Sequence, residues 1–367
     1  MGFNCGIVGL PNVGKSTLFN ALTSTVQAQA ANYPFCTIEP NVGRVAVPDA
    51  RLEVLRNIDN SQKIIPTQLE FVDIAGLVRG ASRGEGLGNQ FLANIREVDA
   101  IIHVLRCFDD GNIVHVEGSV DPIRDAETVE TELMLADLES LEKRILPLQK
   151  KAQTGDKESK TLVSVMAPVL DVLREGKPAR LAKPSDADAL KIFNQLCLLT
   201  GKPVLYVCNV DEASAATGNE YSKKVEQMAK EQGNSSVIIS AAIEAEVASL
   251  TDEGEQKEFL ETLGLEETGL NRIIKAGYKL LGLETFFTCG PKEVHAWTMR
   301  KGTLAPQAAG IIHTDFERGF IRAEVIAYQD YVMFKGEVGA RENGKLRQEG
   351  KTYTMNDGDV VHFLFNV

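Results

Sequence analysis

Features that would place this chain outside the ordinary globular proteins are largely absent from its sequence. Six cysteines are scattered over 367 residues without a C-x-x-C pair, and no apolar run is long enough to cross a membrane. The N-terminus has no basic stretch ahead of an apolar segment, so it lacks the pattern of a secretion signal. These absences exclude a disulfide-stabilised miniprotein. We expect a cytoplasmic protein with reduced thiols and no membrane partner.

An excess of basic residues is also absent. The chain has 39 Lys and Arg against 51 Asp and Glu, a formal net charge of −12, which argues against a general nucleic-acid coat. Residues 1–127 and 201–282 together hold 18 basic and 29 acidic side chains and therefore carry −11 of that charge. A polyanionic partner is expected to meet residues 128–200 or 283–367, where the two signs nearly balance.

The order of apolar segments predicts an α/β architecture with more than one domain. Five short apolar runs separated by helical patterns indicate a mostly parallel sheet, and they cover residues 3–9, 69–73, 100–105, 203–207 and 237–240. Long helical patterns over residues 128–200, broken at Thr154-Gly155-Asp156, predict an inserted arm of two antiparallel helices. Short strands and glycine turns then indicate a small α+β module. We predict three units: residues 1–127 with 201–282, residues 128–200, and residues 283–367.

A phosphate-binding motif lies between the first strand and the first helix. Gly9-Leu-Pro-Asn-Val-Gly-Lys-Ser-Thr17 matches G-x-x-x-x-G-K-[ST] in the strand–turn–helix setting that the chemistry requires. Its glycines let the loop close around phosphates, and its amides point inward at the start of the following helix. Lys15 is expected to reach the β- and γ-phosphates and Ser16 to bind Mg²⁺. The predicted nucleotide contacts of this loop are Asn12, Val13, Gly14, Lys15, Ser16 and Thr17.

Two further segments fit the surroundings of a γ-phosphate. Asp73-Ile-Ala-Gly76 ends a strand, where such a carboxylate holds Mg²⁺ through water and the glycine amide senses the γ-phosphate. Thr37 lies in the intervening stretch and would complete the Mg²⁺ coordination. Leu77 stands where many GTPases have a glutamine that orients the attacking water. His115, which follows another strand, is a candidate for that task, although a structural histidine fits the sequence equally well.

The segment expected to recognise the base departs from the guanine-binding pattern N-K-x-D. The chain reads Asn209-Val-Asp-Glu212, so Val210 replaces the lysine and Glu212 replaces the aspartate that accepts two hydrogen bonds from guanine. Adenine has an acceptor at N1 where guanine has a donor, and an unpaired buried polar group costs about 1–3 kcal/mol. The segment therefore disfavours strong guanine selectivity; an ordinary surface loop is the alternative interpretation. Backbone contacts to the base are expected from Ser240, Ala241 and Ala242.

Taken together, these motifs resemble the YchF family of Obg-like ATPases, a branch of the translation-factor-related P-loop GTPases. The resemblance covers essentially the whole chain. It rests on residues 9–17, 32–41 (Asn-Tyr-Pro-Phe-Cys-Thr-Ile-Glu-Pro-Asn), 71–78 (Phe-Val-Asp-Ile-Ala-Gly-Leu-Val), 84–89 (Gly-Glu-Gly-Leu-Gly-Asn), 209–212 and 313–324 (His-Thr-Asp-Phe-Glu-Arg-Gly-Phe-Ile-Arg-Ala-Glu).

The resemblance carries expectations about fold and activity. It implies a P-loop NTPase (G) domain with a helical coiled-coil insertion and a C-terminal TGS domain of β-grasp type. It implies Mg²⁺-dependent hydrolysis of ATP, preferred over GTP, with His115 matching the water-orienting position. Asn12 matches a P-loop asparagine that binds K⁺ in some relatives, which makes K⁺ a second candidate ion. The implied partner is the ribosome, and we expect its large subunit and rRNA to be met by the arm and the TGS domain.

Our leading hypothesis is a slow ATP-driven switch on the ribosome, acting in translation or stress responses. Two alternatives stay open. One is a ribosome-binding scaffold whose nucleotide mainly stabilises the fold, which the missing glutamine favours. The other is a GTPase with a degenerate base site.

Overall fold

The computed structural model describes residues 3–30, 41–74, 87–116, 118–250 and 252–366. Over these residues the chain forms two six-stranded sheets and a helical arm. The strands are β1 (Asn4–Val8), β2 (Val42–Ala46), β3 (Lys63–Ile65), β4 (Gln68–Asp73), β5 (Ala100–Arg106), β6 (Val204–Asn209), β7 (Ser235–Ile239), β8 (Leu283–Cys289), β9 (Glu293–Arg300), β10 (Phe320–Ala327), β11 (Arg347–Glu349) and β12 (Asp359–Phe365). The helices are α1 (Lys15–Ala30), α2 (Arg51–Asp59), α3 (Leu87–Glu97), α4 (Pro122–Gln153), α5 (Lys157–Arg174), α6 (Ala187–Gln195), α7 (Glu220–Glu231), α8 (Ala241–Ser249), α9 (Glu253–Thr262), α10 (Gly269–Leu280), α11 (Ala305–Ile312), α12 (Thr314–Arg318), α13 (Tyr328–Met333) and α14 (Glu337–Glu342).

The first sheet has the strand order β2-β4-β1-β5-β6-β7. All neighbouring strands run parallel except β2, which is antiparallel to β4 at the edge. Every residue of β5 and β6 is buried, as expected for central strands whose two faces are both covered by helices. The predicted, mostly parallel α/β sheet is therefore confirmed.

The arm is built from the long helix α4 and the antiparallel helix α5, with the turn between them at residues 154–156. Its outer part has a hydrophobic core separate from that of the sheet, formed by Leu141, Ile145, Val165, Met166, Val169, Leu170, Leu173, Ala179, Phe193, Leu196 and Leu198. The root of the arm is where the start and the end of the insertion meet, at Asp137 and Thr200. There the Asp137 carboxylate accepts hydrogen bonds from the Leu199 amide (2.9 Å), the Thr200 amide (2.8 Å) and the Thr200 hydroxyl (2.7 Å). Within the described ranges, no helix is long and apolar enough to cross a membrane.

The second sheet has the strand order β11-β10-β12-β8-β9-β3 and lies mostly in the C-terminal part of the chain. The strand at one edge of this sheet, β3, comes from the connection between β2 and β4, and it pairs in parallel with β9. Helix α2 of the same connection buries Leu52 and Leu55 in the hydrophobic cluster of this sheet. Residues 51–65 thus pack with the C-terminal module, although the sequence groups them with the first domain.

Candidate nucleotide-binding site

The candidate site lies along one edge of the first sheet, where its parallel strands end. The P-loop follows β1, Asp73 is the last residue of β4, and the loop carrying His115 follows β5. Asn209 is the last residue of β6, and Ser240 follows β7. Because the carboxyl ends of parallel strands meet at one edge of a sheet, the topology brings these segments together, as in other doubly wound folds.

The backbone of the P-loop has the shape of a phosphate cradle. Gly14 has a φ of +93°, and a Cβ built on it would lie 2.2 Å from Nδ2 of Asn209, so no larger residue fits there. The Leu18 amide donates to the Gly14 carbonyl at 3.0 Å, which begins helix α1 directly behind the loop. Val13 is buried, whereas Ser16 and Thr17 in the first turn of α1 are exposed. An anion in front of this helix end would meet backbone N–H groups and the positive end of the helix dipole.

Lys15 and Asp73 form an ion pair across the mouth of this cradle. Their side chains are only 11% and 20% exposed, so each charge is held in place by the other. In the described part of the chain, no group of three or more His, Cys, Asp or Glu side chains could hold a metal ion. A hydroxyl from Ser16 and the Asp73 carboxylate instead suit Mg²⁺, which binds few protein oxygens and completes its coordination with water and substrate phosphates. Thr37, Gly76 and Leu77 lie outside the described residues.

Asn209 joins the P-loop to the segments predicted to recognise the base. Its side-chain amide donates to the Val13 carbonyl at 2.9 Å, and its side-chain oxygen accepts from the Ala241 amide at 2.9 Å. Val210 points into the core, with 3% of its surface exposed, whereas Glu212 is exposed. The structure therefore brings Asn209, Val13 and Ala241 into direct contact.

The neighbouring positions of this segment differ in their surroundings. Asp211 caps a short 3₁₀ turn, accepting from the Ser214 amide at 3.0 Å and from its hydroxyl at 3.1 Å. Ser240 is buried, and its hydroxyl has no hydrogen-bond partner among the described residues, while Ala242 is exposed. A buried, unpartnered hydroxyl next to the Asn209 contact is a polar group available to a ligand.

The residue before His115 contacts the P-loop, whereas the His115 side chain does not face that loop. Nδ2 of Asn12 donates to the Val114 carbonyl at 3.1 Å, whereas the His115 imidazole turns inward, with Nε2 2.8 Å from Oδ2 of Asp125. Burial raises the pKa of Asp125, and the contact with His115 opposes that rise. Sequence reasoning missed Asp125, because it lies ten positions after His115, in the first turn of α4, and no periodic pattern joins the two residues.

Comparison with known proteins shows close relatives along the whole chain. The family model YchF-GTPase_C, described as a protein of unknown function, matches residues 283–366, and the model for 50S ribosome-binding GTPase matches residues 4–151. Proteins named ribosome-binding ATPase YchF are 58% identical in Haemophilus ducreyi, 55% in Escherichia coli O157:H7 and 54% in Bacillus subtilis, each covering 100% of both chains. The structure of the Schizosaccharomyces pombe YchF GTPase is 42% identical, with a TM-score of 0.89 over 99% of this chain and 98% of that one.

Proposed function

The chain belongs to the YchF family, and on that premise we propose that it is a cytoplasmic, Mg²⁺-dependent ATPase that prefers ATP to GTP and acts as a slow, ribosome-associated switch in translation and stress responses. Its relatives are named ATPases and carry a P-loop GTPase domain, so this chain is an enzyme that hydrolyses a nucleoside triphosphate. The observation that carries the finer proposal is the position of Asn209, which ties the P-loop to an N-V-D-E segment in place of N-K-x-D.

The phosphate chemistry rests on charge and position. Lys15 is the fixed cation at the loop, and the amides at the start of α1 supply further hydrogen-bond donors to the β- and γ-phosphates. Since Asp73 already holds Lys15, binding of phosphate lets the lysine exchange one anionic partner for another. Ser16, Thr37 and Asp73, the last through water, are the residues that would hold Mg²⁺. When bound, that ion neutralises the charge that develops on the phosphates.

Preference for adenine follows from the side chains at the base segment. With Val210 buried in the core, the lysine stem that covers guanine in N-K-x-D proteins is missing. Glu212 is exposed and one methylene longer than the aspartate that would pair with guanine. We expect the base to be held by Asn209, the backbone at Val210, Glu212 and the segment Ser240-Ala241-Ala242, with GTP binding more weakly.

We assign the orienting of the attacking water to His115, because the side chain of Leu77 can neither donate nor accept a hydrogen bond. An imidazole is able to do both, and it lies one residue from the carbonyl that contacts the P-loop. Asn12, whose φ of +63° and side-chain contact place it at the rim of the loop, is the candidate residue for K⁺.

The ribosome is the proposed partner, contacted at its large subunit and rRNA through the arm and the C-terminal module. This assignment agrees with the charge distribution, since the nucleotide domain carries −11 of the net charge of −12 and would be repelled by rRNA. The rival function, a ribosome-binding scaffold whose nucleotide is structural, differs in one respect. A switch must bind the ribosome differently in its ATP and ADP forms, and a scaffold need not.

Calorimetric titration with ATP and with GTP, both in the presence of Mg²⁺, tests the proposal. We expect ATP to bind at least about tenfold more tightly, a difference of about 1.4 kcal/mol. Glu212→Asp is expected to reduce that ratio by restoring the guanine-pairing carboxylate. Asp211→Asn, which keeps a capping oxygen for Ser214, is the matched control and should leave the ratio unchanged. Equal or tighter binding of GTP by the natural protein would make it a GTPase with an altered base segment.

A further inference from the structure

The contact between His115 and Asp125 joins the nucleotide site to the arm. Nε2 of His115 lies 2.8 Å from Oδ2 of Asp125, and the two side chains are 6% and 1% exposed. Asp125 belongs to the first turn of α4, where Asp121 caps the helix by accepting from the amides of Ile123 and Arg124. The same helix continues to Gln153 and forms one side of the arm.

Two other side chains, Arg106 and Asn12, fix the backbone around His115 through four hydrogen bonds. The buried guanidinium of Arg106, at the end of β5, donates to the carbonyls of Phe108 (3.1 Å), Asp110 (3.2 Å) and Ile113 (3.0 Å). Asn12 of the P-loop donates to the next carbonyl along, that of Val114. The main chain that carries His115 is therefore held against the P-loop from one side.

The side chains of this segment alternate between two directions. Val114 and Val116 are 77% and 56% exposed, although both are apolar, whereas His115 between them is buried against α4. The imidazole consequently points away from the face that the neighbouring valines present to solvent. To orient a water at the γ-phosphate, the imidazole must leave Asp125 and turn toward the P-loop.

We propose that Asp125 is a positioning residue that holds His115 in this inward position, so that movement of the first turn of α4 or of the exposed segment 113–116 releases the histidine for catalysis. The inference rests on the proposed role of His115 in orienting water. On this inference, a partner bound to the arm or to residues 113–116 would raise the rate of hydrolysis by moving the first turn of α4 or the segment that carries His115.

The surroundings of Asp125 suit a contact that can open. Two side chains face its carboxylate, those of His115 and Arg124, and the Arg124 guanidinium lies 3.5 Å from Oδ1. The thiol of Cys107, which follows β5, is the other titratable group near this carboxylate. Removing a carboxylate from water costs free energy that the pairing only partly returns, and leaving that carboxylate buried without the imidazole would cost more. A displacement of the first turn of α4 that lets water reach the carboxylate removes this cost, so such a displacement shifts the equilibrium between the held and the released histidine.

Steady-state ATP hydrolysis by four variants of the full chain tests the rate effect. Asp125→Ala is expected to raise kcat by about threefold or more with little change in KM. Asp125→Asn, which keeps a hydrogen-bonding side chain of the same shape, should give a smaller rise. His115→Ala should lower kcat, and the double variant His115→Ala with Asp125→Ala should match it. A fall in kcat for Asp125→Ala, or no change, would overturn the proposal.

Chemical labelling of the imidazole tests the held position independently of catalysis. With diethyl pyrocarbonate, His115 should label much more slowly than His313, whose side chain is 59% exposed, and Asp125→Ala should bring the two rates to within about threefold. Asp137→Asn changes another buried carboxylate of α4 and is the control, expected to leave His115 protected. If His115→Ala leaves turnover unchanged, the water-orienting role fails, while the labelling still decides whether Asp125 holds the histidine. Unchanged labelling in Asp125→Ala would refute the inference.

Discussion

At the scale of single residues, His103 is the side chain that most clearly ties the stability of the molecule to pH. It lies in β5, with its ring centre 5.8 Å from that of Tyr206 and the two rings tilted by 37°, and its Nε2 has no hydrogen-bond partner among the described residues. The Glu130–Arg180 ion pair lines the same small cavity, so these are the charged groups that face it. Burial lowers the pKa of His103 to about 4, which means that the folded protein keeps this imidazole neutral.

The sign of the pH effect follows from that depressed pKa. Between the ordinary histidine pKa of about 6.5 and the folded value of about 4, the unfolded chain takes up a proton that the folded chain does not. Stability contributed by the neutral imidazole is therefore complete above pH 6.5 and is lost as the pH falls through this window. Between pH 7.5 and pH 5.5 the loss amounts to about 1 kcal/mol.

Urea unfolding of His103→Leu at pH 7.5 and pH 5.5 checks this prediction. The variant should lose about 1 kcal/mol less stability between the two pH values than the natural protein does, because its side chain cannot take up a proton. His313→Leu, at an exposed position, is the control and should keep the natural pH dependence. Parallel pH dependence in His103→Leu and the natural protein would show that the buried imidazole titrates normally.

At the scale of secondary-structure elements, the connection between β2 and β4 joins the two sheets. Strand β3 pairs with β9, and α2 packs on the second sheet. Arg51, at the start of α2, donates to Asp49 and to Asp357 at 2.7 Å each, and its guanidinium lies 4.9 Å from the ring centre of Phe287. The connection leads directly into β4, which ends at Asp73, so the C-terminal module is linked to the nucleotide site by regular structure.

Loss of Arg51 should weaken this junction measurably. Arg51→Ala removes a charge-assisted pair to Asp49 and Asp357 and a ring contact, and we expect the free energy of unfolding to fall by about 1–3 kcal/mol. The fluorescence of Trp297, the single tryptophan, reports on β9 and should change at a lower urea concentration. Arg56→Ala, on the same helix with only an exposed pair to Glu53, should cost less than about 0.5 kcal/mol. Equal losses in the two variants would contradict a structural role for Arg51.

The elements that the sequence predicts are those whose signal is local. The apolar runs of β5 and β6 are buried on both faces, and the P-loop motif carries its own geometry. Strand β3 has only Lys63-Ile-Ile65, and its status as a strand depends on β9, more than 200 residues later, so no local pattern announces it. For the same reason Asn209 and Ser240 could be predicted as site residues from their places at the ends of two strands. Asp125 acquires its contact with His115 only in the folded chain, and so does the Ser240 hydroxyl its buried position.

At the scale of the whole molecule, the distribution of charge distinguishes the nucleotide domain from the arm. The negative nucleotide domain would be repelled by rRNA, while the turn of the arm carries Lys150, Lys151, Lys157 and Lys160, all exposed, against the acidic residues Asp156 and Glu158. The outer arm has its own hydrophobic core, so its tip can bind a surface without disturbing the sheet. Hydrogen bonds from Leu199 and Thr200 to Asp137 tie α4 to the segment that leads into β6, so the arm and the nucleotide domain are directly connected.

Reversal of charge at the arm tip tests this division. Lys150→Glu with Lys151→Glu is expected to lower the affinity for ribosomes by about tenfold or more and to reduce the slope of log affinity against log salt by roughly one to two units, because each lost phosphate contact releases one counterion fewer. Lys223→Glu with Lys224→Glu makes the same change on exposed positions of α7 in the nucleotide domain and should leave both quantities near their natural values.

Co-sedimentation with ribosomes at several salt concentrations, with ATP and with ADP, gives the measurement. Equal affinity with the two nucleotides would favour the scaffold over the switch, and equal losses in the two charge variants would show that the arm tip is not the contact. A loss of ribosome affinity that is confined to the arm-tip variant and larger with one nucleotide than with the other would mean that the arm and the phosphate site are coupled. Helix α4 connects the two, because it contains both Lys151 and Asp125.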